Sequence, residues 1–358
     1  MRKLSNIQVL RGLAALAVVL FHAREEVDGV GIATRLPGFM GGAAGVDVFF
    51  VISGLVMVHA SAPLFGSARA AVPFFLKRLA RIVPLYWAVT ALFVLLDPAD
   101  ARGDLGRRAF AGFVALSLAF VPYAAPANPD LTPVYPLGWT LDYEMAFYLV
   151  FALVLALPRR GAVATLSLAL AALVAANGML ALPGWLSYLG ATQVLEFVTG
   201  LLLAEVGLSG GRLPRPAAAA LVAFGLAAIA AAIPWSDSWW GSWRGLAWGL
   251  PAAAIVAAAA LCLPRRPAGP VRRAFERLGD ASYALYLVHY GAYLGLESVL
   301  GRVFDLARLP ALPFMLLLVA PTLAASFAVH HGFEVPLTRW LQRRVAPRQA
   351  PSLAVAEG

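Results

Sequence analysis

Ten apolar runs of 17 to 23 residues fill most of this 358-residue chain, and they restrict it to one kind of fold. They lie at 5–23, 45–61, 80–97, 138–157, 162–180, 185–207, 216–233, 245–263, 281–299 and 312–334. A helix of about 20 apolar residues crosses about 30 Å of hydrocarbon. Inside hydrocarbon only helices and closed barrels satisfy their own backbone groups. The chain is 61% hydrophobic and 13% charged, against about 25% charge in a soluble domain. The expected fold is an all-α polytopic membrane protein of about ten transmembrane helices. Residues 1–346 form the embedded domain, and 347–358, from Pro347 on, are expected to be a disordered tail.

Charge sets the orientation. Lys and Arg outnumber Asp and Glu by 28 to 19, and the excess sits in short segments between apolar runs. That is the positive-inside pattern of cytoplasmic loops, and it points away from nucleic acid as a partner. With Arg2 and Lys3 inside, the clusters Arg69 to Arg81, Arg159–Arg160, Arg212–Arg215, Arg265 to Arg277 and Arg339 to Arg348 all fall inside if 109–123, a shorter apolar run, does not cross. Both termini are then cytoplasmic, and 109–123 is expected to be re-entrant or interfacial, followed by an irregular outer loop with Pro122, Pro126, Pro129, Pro133 and Pro136. Arg11 interrupts the first run and bulky Phe21 stands where a leader cleavage site needs a small residue, so the first run is read as retained. The single cysteine, Cys262, excludes an intrachain disulfide and a Cys-based metal site. The stretch from Trp235 to Trp243 reads as an interfacial aromatic belt, with a sugar-stacking platform as the alternative.

Ionisable residues inside the runs mark the candidate site, because a charge in hydrocarbon needs a cavity or a partner. Arg11 and His22 are eleven residues apart; at about 100° and 1.5 Å per residue they share one helix face about 16 Å apart. The second run opens Gly45-Val-Asp-Val-Phe-Phe-Val-Ile-Ser-Gly54, with Asp47 expected near the outer end and Ser53–Gly54 suited to close helix approach. Arg78 and Arg81 share a face at the mouth of the third run, either as a bidentate phosphate site or as ordinary anchoring charges. Thr140, Glu144 and Tyr148 form one polar stripe, and Glu144 could pair with Arg11 or His22 or make a purely structural ion pair. Ser282, Tyr286 and His289 share a face of the ninth run, as a polar channel or as a hydrogen-bonded core histidine. Glu196 is a buried carboxylate with no evident partner, and adjacent His330 and His331 point apart, so no metal site is expected.

Together these stretches resemble the integral-membrane acyltransferase 3 family, in particular its exopolysaccharide O-acetyltransferase-like branch, from about Leu4 to Pro336. The resemblance rests on Arg11 and His22, Gly45 to Gly54, Arg78-Leu-Ala-Arg81 with Ile82 and Pro84, Trp139-Thr-Leu with Glu144 and Phe147-Tyr148, and Ser282-Tyr with Tyr286-Leu and His289. The chain departs from the family pattern at Leu55, at His289-Tyr-Gly291 where His-x-Pro is usual, and at His330 where Tyr is usual.

The resemblance implies a cell (inner) membrane O-acyltransferase. It would move an acyl group, acetyl by analogy with the branch, from acyl-CoA to a hydroxyl of an exopolysaccharide, a lipid-linked sugar or another envelope glycan. No metal is implied, and the surroundings are membrane lipid and polysaccharide-assembly proteins. His22 is implied as the catalytic residue, Arg11 as its positioning partner, and Arg78 and Arg81 as ligands for the CoA phosphates. Glu144 is expected to hold the His22 imidazole, which acts as general base or forms an acyl-imidazole. Asp47, Tyr148, Tyr286 and His289 are expected to bind substrate. A transporter or flippase of a lipid-linked glycan is the alternative from another class; it predicts an inverted repeat, and none is visible.

Overall fold

The computed structural model describes residues 5–96, 106–123, 131–180, 182–235, 243–262 and 269–345. The expectations for the tail 347–358, for Pro126 and Pro129, for Trp239 and Trp240 and for Arg265 and Arg266 fall outside these residues. Among the described residues the secondary structure is entirely helical. In chain order the helices are α1 (Ser5–Gly29), α2 (Gly45–Ala60), α3 (Ala71–Leu96), α4 (Arg107–Leu118), α5 (Trp139–Val154), α6 (Arg159–Met179), α7 (Gly184–Leu189) and α8 (Val194–Leu208). They continue as α9 (Arg215–Ala232), α10 (Arg244–Ala247), α11 (Gly249–Leu261), α12 (Pro270–Asp280), α13 (Ser282–Leu300), α14 (Ala311–Val329) and α15 (Val335–Val345). A π-turn, His330–Glu334, joins the last two.

Nine helical stretches among the described residues are long and apolar enough to cross a membrane. The ninth run expected from sequence, 281–299, forms α13, which has the length but not the hydropathy. Its four tyrosines, His289 and Glu297 lower it. The polarity is affordable because the helix is packed among α1, α3 and α14 with Leu285, Leu287, His289 and Tyr293 fully buried. The short run 109–123 forms α4, whose 12 residues rise only about 18 Å. It is pinned to α3 at its end, where the Ser117 and Leu118 carbonyls accept from Tyr86 (3.1 Å) and Trp87 (2.9 Å).

The direction of α13 bears on the crossing count. Arg11 of α1 meets Ser282 at the start of α13, and His22 meets His289 about three turns further along α1 and about two along α13. The two helices therefore run parallel. Parallel first and ninth spans need an even number of crossings from one to the other, which holds only if α4 does not cross. The basic clusters also share one end of the bundle. Arg272 donates to Asn6, Asn6 to the Cys262 carbonyl, Leu213 to the Leu261 carbonyl, Gly66 to the Leu155 carbonyl, and Arg159 pairs with Glu205.

Close helix crossings use the small residues. Gly54 of α2 and Gly200 of α8 lie face to face, and a Cβ on either would strike backbone, the Phe197 carbonyl in one case and the Val51 carbonyl in the other. Gly42 and Gly45 likewise sit against the Ala17 and Ala14 carbonyls of α1. That contact corrects one expectation: α2 begins beside the third turn of α1, so Asp47 lies deep in the bundle instead of near its outer end. The chain can dip that far because glycines let the 3-10 turn Met40–Ala44 pass against α1.

Gly54→Val is expected to cost about 3 kcal/mol, the upper end for an overpacked core, and to lower the thermal midpoint of the detergent-solubilised protein. Gly161→Ala, where an added Cβ meets nothing within 4 Å, is the matched control and should leave the midpoint in place.

Candidate active site

A cavity of about 140 Å³ opens where α1, α2, α3, α5 and α13 meet. Its polar wall residues come from five helices, among apolar neighbours such as Phe49, Phe50 and Ile82. α1 supplies Arg11, α2 supplies Ser53, α3 supplies Arg78 and Arg81, α5 supplies Thr140, Glu144 and Tyr148, and α13 supplies Ser282 and Tyr286. Three guanidiniums thus face a single carboxylate, so the cavity carries an excess of positive charge.

Arg11, Glu144 and Arg78 are held in place. Arg11 donates to Ser282 Oγ (2.9 Å) and Gln8 Oε1 (3.2 Å), and Gln8 donates to Asp280 (2.5 Å). The Glu144 carboxylate accepts from Ser53 Oγ (2.8 Å) and from the Tyr148 hydroxyl. The Arg78 guanidinium lies over the rings of Phe74 and Tyr148, 5.2 and 5.7 Å from their centroids. Tyr286 donates to the Leu137 carbonyl (3.2 Å) and stands 3.1 Å from the Thr140 hydroxyl.

His22 is not part of this wall. It lies beyond Tyr286, in contact with His289, with ring centroids 5.0 Å apart; the Tyr286 and His289 rings are 6.0 Å apart. Hydrogen bonds fix both tautomers. His289 Nδ1 faces the Leu285 carbonyl at 3.1 Å, so it carries the proton and leaves Nε2 bare. That Nε2 is 3.2 Å from His22 Nδ1, which also faces the Val18 carbonyl at 3.0 Å. His22 Nδ1 therefore donates, and His22 Nε2 is the one free imidazole lone pair of the couple. It points toward the partly exposed Glu25, 4.0 Å away.

The sequence-selected residues thus divide into three places. Arg11, Arg78, Arg81, Glu144, Tyr148 and Tyr286 come together in the cavity. His22 and His289 form a separate couple, so the neighbour that orients His22 is His289 and not Glu144, whose Oε1 accepts from Ser53 and Tyr148 in the cavity. Asp47 belongs to neither. It is fully buried and bonded to Arg244 (2.8 and 3.2 Å), which also donates to the Ala43 carbonyl and lies over Trp139 and Trp248. Glu196 is buried beside this pair. Its partners were invisible in sequence because Arg244 stands at the foot of a tryptophan-rich stretch and reads as a loop charge. In the π-turn, His330 Nδ1 lies 2.8 Å from Glu334.

The site is thus a basic cavity inside a helical bundle, with an oriented histidine couple beside it. Residues 4–331 match the acyltransferase 3 family, described as an acyltransferase domain. The chain is 34% identical to the exopolysaccharide production protein ExoZ of Rhizobium meliloti over 279 residues, 76% of this chain and 80% of that protein. It is 28% identical to the acyltransferase MdmB of Streptomyces mycarofaciens over 99% of this chain and 97% of that one. Over 43% of its length it is 32% identical to a putative membrane-bound transacylase, BcsY, of Komagataeibacter xylinus, covering 38% of that protein. No solved structure matches it. The chain belongs to the acyltransferase 3 family and is a multi-pass membrane acyltransferase; the carrier alternative is not favoured.

Removing Arg244 leaves the Asp47 carboxylate buried without its cation. Arg244→Ala is expected to cost about 3–5 kcal/mol, read as a fall in thermal midpoint, and the double variant Asp47→Asn/Arg244→Ala should recover part of that loss.

Proposed function

We propose that this protein is an O-acetyltransferase of the cell (inner) membrane that moves an acetyl group from acetyl-CoA to a hydroxyl of an exopolysaccharide or related envelope glycan. The observation that carries the donor is the cavity in which Arg11, Arg78 and Arg81 face one carboxylate, Glu144. Buried guanidiniums in excess require an anion, and they match phosphate oxygens bidentately. The glycan acceptor is supported by the likeness to an exopolysaccharide production protein, and polysaccharide-assembly proteins are the fitting partners. The basic end of the bundle is the cytoplasmic end on the positive-inside rule, so both chain ends lie inside and the donor enters past Arg78 and Arg81.

In this reading the thioester reaches the Tyr286 end of the cavity, beside His289, with His22 one ring further on. His22 Nε2 takes the proton of the acceptor hydroxyl as its oxygen attacks the thioester carbonyl carbon. The carbon–sulfur bond breaks, and the proton passes to the departing CoA sulfur. General-base action of this kind contributes roughly 10² to 10⁴-fold. The acyl-imidazole route uses the same lone pair, and it would show as CoA released in a burst without acceptor. His289 acts through His22: its bare Nε2 keeps the proton on His22 Nδ1 and so keeps His22 Nε2 free.

His22→Ala is expected to lose about 10² to 10⁴-fold in kcat, followed as CoA thiol release from acetyl-CoA with a glycan acceptor. Transfer at the wild-type rate would overturn the assignment of His22. His289→Phe should lower kcat by about 10-fold or more while KM for the donor holds, and His289→Gln, which restores an acceptor, should regain part of it. Arg81→Ala should instead raise the donor KM by about 10-fold, the worth of one charge-assisted contact.

A further inference from the structure

A second cavity, of about 380 Å³, lies at the basic end of the bundle between the end of α2, the turn at 61–70 and the first turns of α3. Its charged lining is Arg69, Lys77 and Arg78, and its hydroxyls are Ser61 and Ser67, with no carboxylate on the wall. The turn that carries them is fixed from the side: Gly66, at φ +84°, and Ser67 both donate to the Leu155 carbonyl at the end of α5.

Two buried donors in this wall lack a protein acceptor. Ser61 has 0% of its surface exposed, its backbone N–H is satisfied by Met57, and its Oγ has no partner. Arg78 Nε is likewise buried and unpartnered. A buried hydroxyl or guanidinium N–H left unpaired is destabilising, so both are accounted for by a ligand that brings acceptor oxygens. Arg78 lines the first cavity as well, which makes it the shared wall of the two.

We infer that this second cavity is a phosphate-monoester site, with Ser61 Oγ, Arg78 Nε, Arg69 and Lys77 as donors to the phosphate oxygens. If acetyl-CoA is the donor, as proposed above, the ribose phosphate of its nucleotide end occupies this cavity while its thioester end enters the first, with Arg78 between them. A monoester headgroup of phosphatidic acid offers the same chemistry from the lipid side.

The test uses the full chain in phosphatidylcholine nanodiscs and compares kcat/KM for acetyl-CoA and acetyl-3′-dephospho-CoA. The wild type is expected to favour the phosphorylated donor by about 10 to 100-fold, and Ser61→Ala, Arg69→Ala and Lys77→Ala should each move that ratio toward one. Ser61→Ala removes a hydroxyl that has no protein partner, so its fall in ratio should come without a fall in thermal midpoint, which separates binding from folding. A second arm adds phosphatidic acid to the nanodiscs. A ratio near one in the wild type, with a thermal shift from phosphatidic acid that the three substitutions abolish, assigns the site to the lipid headgroup. Substitutions that change neither the donor ratio nor the lipid response overturn the phosphate site. A wild type that turns over neither thioester rejects the CoA reading by itself, and the lipid arm still decides whether the cavity takes a phosphate.

Discussion

The parallel packing of α1 against α13 is the contact on which the site depends. It brings Arg11 to Ser282 at one level and His22 to His289 at another. α13 is too polar to be stable facing lipid, and its burial against α1, α3 and α14 is what allows four tyrosines, a histidine and a serine at membrane depth. The same contact links topology to chemistry. Because the two helices run in one direction, the side chains along their shared seam form a graded path, from the arginine-walled cavity, past Tyr286, to the paired imidazoles.

Along that path each polar group has a different physical reason to be buried. Glu144 is held by a serine and a tyrosine and supplies the single negative charge in a cavity with three arginines. The histidine couple needs no carboxylate, because two helix carbonyls fix the protons on both Nδ1 atoms and leave one lone pair outward. Asp47 and Arg244 solve another problem. They join α2 to the segment before α11, and the cost of burying them is offset by two hydrogen bonds between them, a third to Ala43 and two indole faces.

Much of the architecture was legible in the residues. Run lengths marked nine of the ten expected spans, basic loops gave the bundle end they share, and the bookkeeping of those loops left 109–123 as a non-crossing segment, a reading that the 12-residue α4 and the direction of α13 fit. Helical spacing correctly placed Thr140, Glu144 and Tyr148 on one stripe, and Ser282, Tyr286 and His289 on one face, since those are properties of a single helix. It erred over Asp47, because the depth of α2 depends on how far glycines let the preceding turn sink against α1.

The sequence by itself determined that the chain is a helical membrane bundle, which residues are costly enough in hydrocarbon to mark a site, and, through five ordered motifs, its family. Those follow from length, hydropathy and period, which are local. The tertiary structure decided which costly residues meet. It gave His22 to His289 instead of Glu144, closed Asp47 off with Arg244, and left Ser61 and Arg78 with unpaired donors in a second basic cavity. Partners across a bundle are chosen by which helix faces can approach closely. That rests on small residues such as Gly54 and Gly200, whose counterpart lies 146 positions away, where no periodicity can point to it.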